Sequence, residues 1–291
     1  MSLEDKLSGW TSPSSDSEQE KQDRTERMIR DAVNAHTPFD NCPLKIYAKG
    51  SYANNTNVRS DSDVDIAVEC TAATYWEESQ SGTHPPGTPY NGIWTPAKFR
   101  TELIAALKAK FSNQVDTTGT TAIQINSGSA RIDADVVPCF SYRYYMPDGS
   151  RAGTKIFKTD GSGIVNYPAQ QLENGIAKNK QTGYAYKKAA RLLKRIENAM
   201  AADGAFKELP SFFMEFLAHN CPNSIFDQLT WTACLRAMLI HIWNELQGDE
   251  PSTGRWVEAN DCFYLFHPHQ KWKREDGREF AKAAWNYFEF E

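Results

Sequence analysis

Hydrophobic and polar positions change period along this chain, and the changes divide it. Residues 1–16 are rich in Ser, Gly and Pro and read as frayed. Ser17 to His36 then carries Met28, Ile29, Ala32 and Val33 on one side of a charged helix. Leu44 to Tyr47 alternates as a short strand leading into Gly50-Ser51, and Val64 to Val68 reads as a buried strand. Thr71 to Trp94 holds Gly82, Pro85, Pro86, Gly87, Pro89 and Gly92, which predicts a long surface loop. Thr95-Pro96 opens a helix with an N-cap and a first-position proline, and Phe99, Leu103, Leu107 and Phe111 form its inner stripe. Strands are expected over residues 121–126 and 131–137, and Pro147-Asp148-Gly149 marks a hairpin between residues 142–146 and 154–157. Beyond Pro168 the period is helical almost throughout, with apolar faces over residues 184–202, 210–219, 229–247 and 279–287. An N-terminal α/β lobe with its leading helix (residues 1–165) is therefore expected, followed by a helical lobe (166–291), with a cleft between them as the place for a site.

The composition narrows the partners. At 291 residues, 40% hydrophobic and 24% charged, the chain is an ordinary globular one. A net charge of −5 and a pI near 5.8 argue against an obligate DNA or RNA binder. No long apolar stretch and no signal-peptide core is present, so a cytoplasmic protein without a membrane span is expected. Six scattered cysteines without a CxxC pair read as reduced thiols. Cys262, His267 and His269 lie close in sequence, but their spacing matches no standard zinc pattern.

The chemistry-bearing residues are acids. Asp63 and Asp65 stand in Ser-Asp-Val-Asp-Ile-Ala-Val, and in an extended strand residues two apart project from one face. They follow Lys49-Gly50-Ser51-Tyr52, a turn whose backbone N–H groups can approach a phosphate. Ala130 to Pro138 repeats the pattern and offers a third acid. Asp135 is preferred because it directly precedes Val136-Val137, and Asp133, on the same face, is the alternative. Asp61 shares the parity but falls at the strand entrance, where a solvated acid is expected. Buried carboxylates without cations would be strongly destabilising. Such a cluster suits two Mg²⁺ ions, with Mn²⁺ as the alternative, which take hard oxygen ligands and activate a hydroxyl against a pyrophosphate leaving group. Asp63 and Asp65 would share both ions, and Asp135 would complete the ion at the attacking hydroxyl. Ser51 would contact the triphosphate. In the helical half Lys180, the cationic face at Lys187, Lys188, Arg191, Lys194 and Arg195, and Ser211 at a helix start are further candidates. Of these Lys180, Lys194 and Ser211 are assigned to nucleotide binding.

These residues resemble a known group. Gly50-Ser51, Asp63-x-Asp65 and Asp135-Val-Val-Pro are similar to the DNA polymerase β-like nucleotidyltransferases. Gly-Ser-Tyr-x-Asn-Asn-Thr-Asn-Val-Arg (50–59), Asp-Ser-Asp-Val-Asp (61–65), Asn174-Gly-x-x-Lys-Asn179 and Tyr186-Lys187 running on to Arg191-Leu-Leu-Lys194 resemble the bacterial CD-NTases, and among them clade E. The resemblance implies an α+β fold: a polymerase β-like core of mixed sheet and helices plus a C-terminal helical lobe. It implies an enzyme that binds two NTPs, joins them through a linear intermediate and cyclises it, with metal ligands Asp63, Asp65 and Asp135. By the same resemblance Gly50 and Ser51 contact phosphate, and Lys194 and Ser211 contact the triphosphate from the helical lobe. The product would be a second messenger of anti-phage defence, read by a separate effector protein, and the enzyme a monomer. Asn166 precedes Tyr167-Pro168, where the chain enters the helical lobe. An asparagine amide donates and accepts together, matching the O4/N3–H edge of uracil. UTP is therefore the favoured substrate, ATP the alternative, and a cyclic di-pyrimidine the expected product.

Two enzyme alternatives share the acids: a template-independent polymerase acting on RNA ends, and an adenylyltransferase with a small-molecule acceptor. The acidic balance counts against the first, and a linear product would mark either. A catalytically dead scaffold is the non-enzyme reading, against which every acid is present.

Overall fold

The computed structural model describes residues 1–58, 63–84 and 90–291; Asp61 lies outside the described residues. Two compact units result: a sheet unit, Ser15–Ala53 with Arg59–Pro168, and a helical unit, Met1–Ser14 with Asn54–Val58 and Ala169–Glu291.

In the sheet unit, β1 (Leu44–Lys49), β2 (Val64–Glu78), β5 (Ala134–Met146), β4 (Ile123–Ile125) and β3 (Val115–Asp116) lie side by side in that order. The pair β2–β5 is parallel and the others are antiparallel, so the sheet is mixed. On β5 are built β6 (Gly149–Phe157) and then β7 (Gly163–Asn166). Helices α2 (Asp16–Asn34) and α4 (Pro96–Phe111) supply Ile29, Val33, Phe99 and Leu103 to a core shared with Ile66 and Val136. Alternation on β2 and β5 therefore leaves Asp65 and Asp135 on the face opposite to that core. As expected, Thr95 caps α4, its hydroxyl accepting the Lys98 N–H at 3.3 Å, and Pro96 opens the helix. The hairpin at Pro147-Asp148 also forms, with Met146 paired to Gly149.

Three expectations are corrected here. Of the loop foreseen over Thr71 to Trp94, the first part to Glu78 is instead the second half of β2, which passes a bulge between Cys70 and Thr74. The described residues after Glu78 are irregular up to Trp94, and residues 85–89 lie outside the described residues. Thr74, Tyr75 and Trp76 are strand-forming residues, and the Gly/Pro cluster starts only at Gly82. The boundary at 165/166 cuts β7, whose last residue Asn166 pairs with Thr154, so the sheet unit runs to Pro168. Residues 1–16 are not frayed: α1 (Leu3–Trp10) starts with a Ser2–Asp5 capping box and belongs to the helical unit.

The helical unit holds α1, α5 (Pro168–Gln181), α6 (Tyr186–Ala202), α7 (Ser211–Asn220), α8 (Trp231–Glu245) and α9 (Arg274–Tyr287). Leu7 of α1 is fully buried in its core with Leu192, Leu193, Phe213, Met238 and Phe280. Glu4 accepts the N–H groups of Trp231 and Thr232, each at 2.8 Å, satisfying the open start of α8. At the other end of α1, Arg191 donates to the Thr11 carbonyl at 2.8 Å and Arg195 to the Ser12 carbonyl at 2.8 Å. Among the described residues no helix is long and apolar enough to cross a membrane.

Candidate active site

The strand register builds a transverse row of polar side chains across four strands. Lys49 of β1 pairs with Asp65 of β2, Asp65 with Asp135 of β5, and Asp135 with Gln124 of β4. Directly paired residues share a face, so Lys49, Asp65, Asp135 and Gln124 stand in line on one surface of the sheet. Beside the row the same face is apolar, with Ala67, Val137, Cys139 and Ile156 packed against Tyr47, Ala122 and Ile164. The two acids therefore sit at the edge of a small hydrophobic floor.

Their electrostatics follow from that placement. Burial pushes the Asp135 carboxyl above its ordinary range, and the charge of Asp65 adds to the rise, while Lys49 and the Gln124 amide oppose it. The Oδ1 of Asp135 is buried without a hydrogen-bond partner. Lys49 Nζ stands 3.7 Å from Asp65 Oδ1. An unpartnered buried carboxylate oxygen beside a second carboxylate is costly, and a cation between them would remove the cost. Asp133 is occupied otherwise: its Oδ1 accepts the Ser127 N–H and so holds the loop before β5. Asp135 is the better third acid for that reason.

Asp63 is exposed and lies one residue before β2, outside the ladder that fixes Asp65. Among the described residues no group of three His, Cys, Asp or Glu side chains closes tightly enough to hold a metal ion. Of the three foreseen acids, the register pairs Asp65 with Asp135, and Asp63 lies on irregular backbone just before β2. The same observation leaves Cys262, His267 and His269 without a metal-holding arrangement.

Gly50 follows Lys49 directly and takes a left-handed φ of +70°, which ends β1 and turns the chain into the short helical turn α3 (Gly50–Ala53). Ser51 is half-buried in that turn. Asn166 is half-buried at the end of β7. Lys180 is exposed in the last turn of α5, and Ser211 is exposed as the first residue of α7, whose N-cap position is held by Pro210.

Lys194 is buried and partnered. Its side chain is 1% exposed, and its Nζ is 3.0 Å from Glu215 Oε2 and 3.2 Å from Thr56 Oγ1. The Glu215 carboxylate also accepts from Asn54 at 2.8 Å and from Thr56 at 2.6 Å. Burial would raise the Glu215 carboxyl, but the Lys194 ammonium and these hydrogen bonds outweigh it and hold the value below the ordinary range. This ammonium is partnered inside the helical unit by Glu215 and Thr56. Arg191, only 5% exposed and donating to Asn55 and Thr11 carbonyls, is likewise internal.

The Asn174-Gly-x-x-Lys-Asn179 run proves architectural. Asn174 donates to the Ala259 carbonyl at 3.0 Å, Lys178 to the Cys221 carbonyl at 2.9 Å, and the Asn179 side chain accepts the Lys187 N–H at 3.0 Å. A Cβ on Gly175 would stand 2.8 Å from Asn54 Oδ1, so only glycine leaves room for Asn54. Lys49, Gln124, Thr56 and Glu215 were missed from sequence. Lys49 was within reach, being the last alternating residue before Gly50; Gln124 depends on the β4–β5 register, and Thr56 and Glu215 on partners far away in the chain.

Comparison with known proteins gives this geometry a setting. Residues 173–289 match the cGAS/DncV-like nucleotidyltransferase C-terminal helical domain. The chain is 35% identical to the cyclic dipyrimidine nucleotide synthase CdnE of Cecembia lonarensis, over 99% of this chain and 98% of that one. It is 33% identical to the synthase of the same name from Legionella pneumophila, over 96% of each. Among solved structures, the Elizabethkingia meningoseptica CdnE cyclic dinucleotide synthase with GTP and Apcpp superposes with a TM-score of 0.83 at 29% identity, covering 100% of both chains. Near-complete coverage at this identity places an α+β chain with two paired acids on a mixed sheet in one family: it belongs to the cGAS/DncV-like nucleotidyltransferases, among the CdnE cyclic dinucleotide synthases.

Proposed function

We propose that this protein joins two nucleoside triphosphates into a cyclic dinucleotide, with UTP preferred and a cyclic di-pyrimidine as product. The observation that carries the chemistry is the pairing of Asp65 with Asp135, one of whose oxygens is buried and unpartnered. That donor set is all oxygen and negatively charged, which fits Mg²⁺, or Mn²⁺ in its place. Asp65 and Asp135 would hold the ions, with Asp63 closing the set at the strand entrance. Held there, such ions would supply charge that lowers the pKa of the attacking hydroxyl and neutralises the leaving pyrophosphate.

In the first step a ribose hydroxyl of one nucleotide attacks the α-phosphorus of the other, its proton passing to solvent, and the bond to the β-phosphate breaks. In the second, a hydroxyl at the far end of the linear intermediate repeats this on the remaining triphosphate, so two pyrophosphates leave per ring. Gly50 and Ser51 supply backbone N–H and hydroxyl contacts to phosphate, and Lys180 and Ser211 are the exposed polar groups of the helical unit suited to the triphosphate. Asn166 reads the O4/N3–H edge of uracil.

Two relatives at 33–35% identity are named as cyclic dipyrimidine synthases, whereas the Elizabethkingia structure contains GTP and Apcpp. One fold therefore accompanies different bases, which supports base choice by a few local side chains. The product would act in the cytoplasm on a separate effector protein in anti-phage defence, and the enzyme would work as a monomer.

The test is to incubate the purified chain with Mg²⁺ and all four labelled NTPs, treat with phosphatase and identify products by mass spectrometry. A phosphatase-resistant cyclic di-pyrimidine is expected. A phosphatase-sensitive linear product would favour transfer to an RNA end or small acceptor instead. Asp63→Ala with Asp65→Ala should remove pyrophosphate release while leaving circular dichroism unchanged.

A further inference from the structure

We infer that Gly153 is a positioning residue for base selection, acting through Asn166; the inference rests on Asn166 as the side chain that reads the base. β6 and β7 are antiparallel, with Thr154 opposite Asn166, so Gly153 is the neighbour of the residue that pairs with Asn166. A Cβ built on Gly153 would lie 2.7 Å from the Asn166 carbonyl oxygen and 2.9 Å from two carbons of the Tyr167 ring. Gly153 has no left-handed φ, so backbone conformation does not demand glycine there. Space does.

Neither obstacle can withdraw cheaply. The first is main chain, fixed by the β6–β7 ladder. The second is an aromatic ring only 4% exposed, set edge-on to Tyr142 at 6.4 Å and lying under the Arg151 guanidinium at 5.8 Å. Tyr142 itself pairs with Gly153 across β5–β6, so the ring rests in the gap a side chain would fill. Pro168 follows and restricts the backbone of Tyr167 to extended conformations, which closes that route of escape. Carbonyl and side chain of Asn166 share one Cα, so a displaced carbonyl re-aims the amide. A hydrogen-bonding site discriminates sharply only while its polar groups stay aimed, and a shift of 1 Å can cost about 100-fold.

The same hairpin contains its own control. A Cβ on Gly163, at the start of β7, would meet only the far carbon of the flexible Lys155 side chain at 2.9 Å, with the next atoms at 3.8 Å. Gly153→Ala and Gly163→Ala therefore add the same methyl to the same strand pair, and only the first presses on Asn166.

The experiment supplies the full chain with equimolar ATP, CTP, GTP and UTP and reads the pyrimidine-to-purine ratio of products by mass spectrometry, with the thermal midpoint recorded beside it. Gly153→Ala should lower that ratio about 10-fold, and Gly163→Ala should leave it unchanged. Should Gly153→Ala not fold, Tyr167→Leu removes the ring braced against Gly153 and should lower the ratio likewise. A ratio retained in Gly153→Ala, or in Tyr167→Leu if that variant is needed, overturns the inference, and so does an equal loss in both glycine variants. Asn166→Ser separates the two ideas. If it shifts the ratio while Gly153→Ala does not, base reading by Asn166 stands and the role of Gly153 falls; if neither does, the reading of Asn166 falls.

Discussion

Lys194 and Glu215 form an ion pair at 3.0 Å with both side chains almost wholly removed from water. Deleting one member of such a pair leaves an uncompensated buried charge. Lys194→Met should therefore cost about 3–5 kcal/mol in unfolding free energy, read by urea titration. Adding Glu215→Gln should recover part of it, because the glutamine is uncharged, its oxygen can still accept from Asn54, and its NH2 can donate to the Thr56 hydroxyl.

The same pair predicts an acid limit. The folded Glu215 carboxyl titrates below its ordinary value of 4.5, so its contribution is complete above that pH. It is lost as pH falls through the lower folded value. The stability difference between wild type and Glu215→Gln should be constant from neutral pH down to about 5 and shrink below 4.5. A difference that instead shrinks between pH 5 and 7 would contradict the assignment.

Asp135 behaves oppositely, because burial and Asp65 disfavour its charge. Asp135→Asn should stabilise the metal-free chain by about 0.5–2 kcal/mol, as substitutions that relieve functional-site strain do. It should also lower pyrophosphate release by about 100-fold or more. Loss of activity together with loss of stability would mean that Asp135 is structural.

Ser51 stands in the turn that opens at Gly50. A hydrogen bond to a charged phosphate contributes about 1.5–3 kcal/mol, so Ser51→Ala should raise the NTP KM by about 10–100-fold with an unchanged thermal midpoint. Steady-state pyrophosphate release checks this.

Leu7 tests the N-terminal helix. It is fully buried with residues of the helical unit, so Leu7→Ala should destabilise by about 2–5 kcal/mol. A fraying terminus would show no change in a denaturant titration.

Much of this was written in local pattern. Asp63 and Asp65 two apart before an apolar run, Gly50-Ser51 after an alternating strand, and Thr95-Pro96 at a helix start each express a constraint that a short stretch of chain imposes on itself. Local periodicity and backbone sterics suffice for those. The pairing of Asp65 with Asp135 across 70 residues was a reasonable expectation because both acids lead into strands that sheet formation brings together.

What only the tertiary structure decided concerns partners far apart in sequence. Residues 1–16 look frayed until Leu7 finds a core and Arg191 and Arg195 grip the carbonyls at the helix end. Lys194 looks like a ligand-seeking cation until Glu215 is placed beside it, and Gln124 looks ordinary until its strand aligns with Asp135. The sequence determined which segments could be strands or helices and which side chains could do phosphoryl chemistry. The fold determined which charges are spent on one another and which remain for a ligand, because a charge's cost and reach depend on burial and neighbours, and those exist only once the chain is folded.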